Sequence, residues 1–290
     1  MKRIASFFLA LALAFSLTAC TVPVEKADDG KIQIVATLFP YYDFARAIVG
    51  DRADVTLLLS PGREAHSFEP TPLDAVTISE SDVFLYNGGE GEYWVDSMLG
   101  AAGENIAVVA RMMDYVDALN EEYVEGMQGA DGHDHDHEHG SHDDHDHDHE
   151  EDEHDSDEVE YDEHIWTSPK NAVVLCRAVC DAICRADAEN AAFYRANCEN
   201  YCAQLEDLDA RFAALCESAP RRLLIFADRF PMLYFCREYG LDYRAAFHGC
   251  SGDTEPSLAT IKFLIDKVED ENIPVVYTID FGTKKVAAVV

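Results

Sequence analysis

Residues 187–218 read DAENAAFYRANCENYCAQLEDLDARFAALCES. Phe193, Cys198, Tyr201, Leu205, Leu208, Phe212 and Leu215 recur mostly at steps of three and four, the spacing of one helix face. No Pro or Gly interrupts the run before Pro220. The pattern predicts a single helix of about 30 residues, on the order of 45 Å long at 1.5 Å per residue.

On either side of this helix, strands alternate with helices. Before it, strands are expected at 31–38, 55–59, 82–86 and 105–110. Helices are expected at 40–49, from Thr71-Pro72, at 93–99 and at 168–186. After it, strands at 223–227, 241–247 and 274–279 enclose helices at 232–239 and 257–270. Such alternation implies βαβ units and parallel sheets. The fold class is therefore α/β: two parallel-sheet α/β lobes joined by a long backbone helix. Their ligand site is expected in the inter-lobe cleft, at the carboxyl ends of the strands. The expected limits are 31–187 for the N-terminal lobe, 188–219 for the linking helix and 220–290 for the C-terminal lobe. Residues 284–290 read as the start of another helix with no strand after it, so the second lobe looks one or two elements short.

The chain has 290 residues, 48% apolar and 10% aromatic, enough to build cores and to exclude global disorder. Its formal net charge is −34, from 22 basic and 56 acidic residues. That excludes nucleic acid as a partner, because phosphate binding needs a basic face. Residues 131–163 hold 18 acids and no Lys or Arg, and so carry −18 of the −34.

Met1-Lys2-Arg3 is a basic n-region, and 4–17 is an apolar h-region of signal-peptide length. It is too short to span a bilayer, which takes about 20 residues. Leu17-Thr18-Ala19-Cys20 follows and resembles a bacterial lipobox. The expectation is a signal peptide over 1–19, lipidation at Cys20 and a tether over 20–30. The mature protein would then be held on the extracytoplasmic face of the cell membrane.

Eight further cysteines remain: Cys176, Cys180, Cys184, Cys198, Cys202, Cys216, Cys236 and Cys250. An exported chain invites a disulfide reading. Yet Cys176, Cys180 and Cys184 line one helix face, where neighbours fit disulfide geometry poorly. Nor is this the C-x-x-C spacing of a structural zinc site. The expectation is Cys used as a small buried hydrophobe, with inter-helix disulfides and thiolate metal ligands as the alternatives.

Three pieces carry chemistry. The first is a tract in which His133, His135, His137, His139, His142, His145, His147, His149 and His154 alternate with Asp and Glu. Imidazole and carboxylate are zinc-type ligands, and their alternation offers many weak, interchangeable sets. The composition cannot build a core, so 131–160 is expected to be a disordered low-affinity metal loop. The second piece is His66, in a Pro61-Gly62 loop directly after an apolar strand. The third is His164, in Tyr161-Asp162-Glu163-His164-Ile165-Trp166-Thr167-Ser168-Pro169, where the acidic segment gives way to structure.

These pieces together resemble the extracytoplasmic metal receptors of ABC importers, the zinc- and manganese-binding (ZnuA-like) lipoproteins. The resemblance covers about 32–280. It rests on Phe39-Pro40, on His66-Ser67-Phe68-Glu69-Pro70 after Pro61-Gly62, on His164-Ile165-Trp166-Thr167-Ser168-Pro169, and on Tyr234-Phe235 before Tyr239-Gly240-Leu241. It implies one divalent ion in the cleft, delivered to an ABC permease of a metal importer by a protein that works as a monomer. The family's first metal His falls on His66 and its second on His164. The third ligand falls near Asp228, where Asp228-Arg229-Phe230-Pro231 runs about one residue out of register. The fourth falls near Asp280. His248 and Glu255 match no ligand position and read as surface residues.

Zinc is favoured over manganese, because manganese prefers more oxygen donors. A manganese receptor of the same family is the alternative, as is a His-rich zinc-buffering or adhesin lipoprotein. No enzyme is expected: the chain lacks His-Glu-x-x-His and Gly-x-Ser-x-Gly.

Overall fold

The computed structural model describes residues 30–60, 62–63, 65–102, 105–127, 160–250, 255–280 and 284–290. The expected signal peptide, the lipidated Cys20 and the His tract lie outside the described residues. Residues Ile32–Val290 form one compact unit.

Among the described residues the strands form two parallel sheets. In the first, β1 (Gln33–Ala36) lies between β2 (Asp54–Leu57) and β3 (Val83–Tyr86), and β4 (Val108–Arg111) pairs with β3. Ile34 is in register with both Val55 and Val83, and Phe84 with Val109. Successive side chains on a strand point to opposite faces, and both faces here are covered. Ile34, Ala36, Val83 and Leu85 are buried against helices α1 (Phe39–Val49) and α4 (Pro169–Ala186). Val35 and Phe84 face the other way, against Ile78 of α2 (Pro72–Ser79) and Val95 of α3 (Val95–Ala102). Each large apolar side chain buried in this way contributes roughly 1.5–3 kcal/mol.

Local signals start the helices. Thr71 caps α2 through a reciprocal pair with Asp74, and Ser168 caps α4 by accepting from the Asn171 N–H. Pro72 and Pro169 occupy first-turn positions, where a missing N–H costs nothing.

The long helix expected from residue 187 is α5 (Ala191–Ser218), 28 residues. Its first half lies on the first lobe. There the Tyr201 hydroxyl donates to Asp43 at 2.6 Å, and Asn197 donates to the Ile48 carbonyl at 2.9 Å. Its second half meets α6 (Leu233–Tyr239) of the second lobe. Phe212 stands edge-on to Phe235 at 5.0 Å, and the Tyr239 hydroxyl donates to Asp209 at 2.9 Å.

The second sheet pairs β5 (Leu223–Arg229) with β6 (Asp242–Phe247), in parallel, with α7 (Leu258–Asp270) beside it. The strand expected over 274–279 is reduced to one parallel bridge, Phe226 with Tyr277. Tyr277 donates to the Ile225 carbonyl at 2.8 Å and accepts from Ala227 at 2.9 Å. Pro274 has no N–H to extend that ladder. Residues 285–289 are turns, with Ala288 N–H bonded to the Lys284 carbonyl, and not the regular helix expected there.

The segment after β4 crosses to the second lobe before the tract. Met127 is buried with Phe226 and Phe230, and Arg237 pairs with Glu122. The chain then rejoins itself beyond the tract: Glu121 N–H donates to the Glu160 carbonyl, and Asp162 N–H to the Leu119 carbonyl, both at 2.9 Å. Among the described residues no helix is long and apolar enough to cross a membrane.

Candidate metal centre

The carboxyl ends of both sheets open onto one cavity of about 380 Å³. The β2 end contributes His66, the β3 end Asn87, the β5 end Arg229 and Pro231, and the β6 end Gly249. Glu163 and His164 line it from the segment leading into α4. Parallel strands converge their following loops at one edge, which is why residues distant in sequence meet there.

His66 and His164 come together as the sequence leads one to expect, with ring centroids 5.6 Å apart. His164 is held firmly. Its Nδ1 lies 3.0 Å from Asp162 Oδ1, and its N–H donates to the same oxygen at 2.7 Å. With Nδ1 as the donor, Nε2 carries the lone pair that a metal takes, the supporting arrangement usual for a ligating His. Asp162 is fully buried, and its carbonyl accepts the Tyr234 hydroxyl at 2.8 Å.

Glu163 joins this pair. Its Oε1 accepts the Gly91 N–H at 2.7 Å and its Oε2 lies 3.9 Å from His66 Nδ1. Its carbonyl accepts from Asn87 at 2.9 Å, and Asn87 in turn accepts the Tyr41 hydroxyl. Burial pushes the Glu163 carboxyl above its ordinary value, against the pull of the Gly91 N–H and the His164 ring. The backbone at Gly89 allows this approach. It has φ +91°, and a Cβ there would stand 2.5 Å from Glu163 Oε1.

Cys250 arrives from the second lobe. The ligand atoms of His66, Glu163 and Cys250 all lie within 4.8 Å of one another. Nitrogen, oxygen and sulfur are all zinc donors. Glu121, whose side chain is 4% exposed, holds this loop by accepting the Gly249 N–H at 3.3 Å and the Cys250 N–H at 2.9 Å. Burial pushes the Glu121 carboxyl up, but hydrogen bonds from His248 and Cys250 outweigh it and set the carboxyl below its ordinary value. Burial pushes the Cys250 thiol up. Gly249 fits because it is small: a Cβ would meet the Phe230 carbonyl at 2.9 Å and His164 Nδ1 at 3.1 Å.

Asp228 and Asp280 are not brought to the cavity wall. Asp228 sits at the end of β5, with its carboxylate accepting from its neighbour's N–H at 2.9 Å. Arg229, one residue on, lines the cavity instead. Asp280 is exposed, and Ile279 before it lines the cavity. Asp228 lies where the pairing of β5 with β6 is irregular, and Asp280 lies in a turn. His248 is not a surface residue: its side chain is 12% exposed, 3.7 Å from Glu121 and against the Tyr123 ring. Glu255 is exposed, as expected.

Sequence reasoning passed over Glu163, Cys250 and Glu121 as site residues. Glu163 does adjoin His164 in the quoted stretch. Cys250 had one signal, its place in the loop directly after a strand.

Comparison with known proteins agrees with this architecture. The chain is 30% identical over 293 residues to the high-affinity zinc uptake system protein ZnuA of Bacillus subtilis, covering 99% of this chain and 84% of that protein. It is 30% identical over 278 residues to the zinc-binding lipoprotein AdcA of Streptococcus pneumoniae, covering 96% of this chain and 50% of AdcA, so it spans about half of that relative. The crystal structure of the metal-dependent lipoprotein YcdH from Bacillus subtilis superposes with a TM-score of 0.67 at 28% identity, covering 89% of this chain and 82% of that one. Zn(II)-bound AdcA from Streptococcus pneumoniae superposes with a TM-score of 0.66 at 25% identity, covering 89% and 48%. The family described as zinc-uptake complex component A, periplasmic, matches residues 34–290. The chain belongs to the zinc-uptake complex component A family.

Proposed function

We propose that this protein is the zinc receptor of a metal ABC importer, capturing one divalent zinc ion in the cleft and passing it to a membrane permease. One observation carries the reading: His66, Glu163 and Cys250 bring three different zinc donors within 4.8 Å, from both lobes. His164, oriented by Asp162, supplies a further imidazole beside them. A set drawn from two lobes ties ion binding to closure of the cleft between 31–187 and 220–290. Asp228 and Asp280 stand outside this ligand set. A sulfur donor favours zinc over manganese.

Protein ligands that fill the coordination sphere suit carriage rather than catalysis, since a catalytic zinc keeps an open water position. The lipid at Cys20 would keep the receptor at the membrane, where its permease is. The tract histidines would hold zinc weakly and raise its local concentration near the cleft.

The test uses the chain with the nine tract histidines replaced by Gln, so that cleft binding is read alone. Zinc affinity is measured by competition with a chromophoric chelator. His66→Ala and Cys250→Ala should each weaken binding by more than the roughly 10–100-fold that loss of a ligand's supporting partner costs. Asp228→Ala should leave it unchanged. Unchanged affinity in both His66→Ala and Cys250→Ala would place the site elsewhere and end the receptor reading.

A further inference from the structure

A second group of metal-type ligands lies away from the cleft, in the seam between α4 and α5. The cysteines come as two pairs at i, i+4 spacing on facing helices: Cys176 and Cys180 on α4, Cys198 and Cys202 on α5. Side chains four apart share a helix face, so each pair points its sulfurs at the other. Cys198 Sγ lies 4.0 Å from Cys176 Sγ and 3.9 Å from Cys202 Sγ. The three sulfurs all stand within 4.8 Å of one another.

Burial is nearly complete: Cys176 and Cys202 are 0% exposed, Cys180 and Cys198 3%. Packing alone asks for small apolar groups at such positions, and Ala would meet it. Three thiols within 4.8 Å of one another are a separate chemical fact.

We infer that Cys176, Cys198 and Cys202, with Cys180 alongside, form a second metal site that binds one soft, thiophilic d10 cation and clasps α4 to α5.

The spacing suits such an ion. Thiolates about 2.3 Å from a metal stand roughly 3.8 Å apart in a tetrahedral set and roughly 4.0 Å apart in a trigonal one. Two of the three sulfur separations, 4.0 and 3.9 Å, match these values, and the third lies within 4.8 Å. Soft thiolate sets select zinc and monovalent copper over harder ions.

Binding is a plain exchange. Each ligating thiol gives up its proton to solvent, its sulfur lone pair goes to the metal, and no electron is transferred. A Cys176–Cys198 disulfide would instead need an oxidant and would have to close a 4.0 Å gap, leaving Cys202 unused.

The site is independent of the cleft, and the test keeps the two apart. The full chain carrying His66→Ala and Cys250→Ala, reduced and metal-free, is titrated with Cd2+ alone and separately with Cu+. The expected result is a thiolate-to-metal charge-transfer band in the ultraviolet that saturates at one ion per chain, together with a rise in melting temperature. Imidazole and carboxylate give no such band, so the tract does not contribute. Cys198→Ser should abolish the band, while Cys216→Ser and Cys236→Ser should retain it. Should Cys198→Ser fail to fold, X-ray absorption on the otherwise unaltered cysteine cluster, loaded with one equivalent of Cd2+, decides the matter: a shell of three or four sulfurs is expected. No band with either ion, a shell of oxygen and nitrogen, or a Cys176–Cys198 disulfide in the isolated protein would each overturn the inference.

Discussion

Replacing Glu92 by Gln should change how the protein's stability responds to pH. Glu92 is 7% exposed, near Trp94, Leu38 and Phe68 at the base of the first lobe's edge. Its Oε2 accepts the Gly88 N–H at 2.8 Å. Burial raises its carboxyl from 4.5 to about 7, although the Gly88 N–H pulls the other way. The unfolded chain therefore releases this proton near pH 4.5, while the folded chain keeps it until about pH 7. Between those values the native state binds more protons than the unfolded state. Stability must then fall as pH rises across that window, level off above it, and be fully present below it. At 1.36 kcal/mol per unit, the whole effect is about 3 kcal/mol. The amide of the E92Q variant keeps an acceptor for the Gly88 N–H and never ionises. That variant should match the parent at pH 4 and exceed it by about the same 3 kcal/mol at pH 8. Urea denaturation of both metal-free proteins at the two pH values measures this directly. Parallel pH dependence in parent and variant would refute the reasoning, because it would mean that Glu92 is already ionised in the folded state.

Asp162→Asn should lower zinc affinity roughly 10–100-fold with little change in secondary structure, because it weakens the hold on His164 Nδ1; isothermal titration checks this, and unchanged affinity would deny Asp162 its orienting role. Gly249→Ala places a Cβ 2.9 Å from the Phe230 carbonyl, so thermal denaturation should show a loss of about 1–3 kcal/mol. Because the same Cβ crowds His164, zinc binding should weaken in that variant as well.

Much of this architecture could be read from periodicity. Helix α5 was legible because its apolar residues recur at steps of three and four with no Pro or Gly across 28 residues, although Leu215 near its end is 63% exposed. The inner strands β1 and β3 were legible because both faces are buried, which leaves short apolar runs. The segment over 274–279 misled for a physical reason. Its β-branched composition is that of a strand, but Val275 and Tyr277 are 51% and 42% exposed, and pairing stops at one bridge. At the site, His66 and His164 stood out as isolated imidazoles beside turn residues. Glu163 was hidden among the 18 acids of 131–163, and Cys250 among eight similar cysteines. What sets them apart is tertiary approach across more than 80 residues of chain, which no local pattern encodes. Asp228 and Asp280 each stand next to a cavity-lining residue, Arg229 and Ile279, the first where β5 pairs irregularly and the second in a turn.

Helix α5 behaves mechanically like a beam clamped near both ends. Asp43 and Ile48 grip it through Tyr201 and Asn197, while Phe235 and Tyr239 grip it around Phe212 and Asp209. A beam fixed in this way resists bending, so the second lobe has no slack hinge on which to swing wide. Motion at the cleft is then a short stroke, confined to the ends of strands and to the loop that Glu121 pins through Gly249 and Cys250. For the proposed cargo this would place release at the rim. In the function proposed above, a partner that drew the 248–250 loop away from Glu121 would withdraw Cys250 from His66 and Glu163.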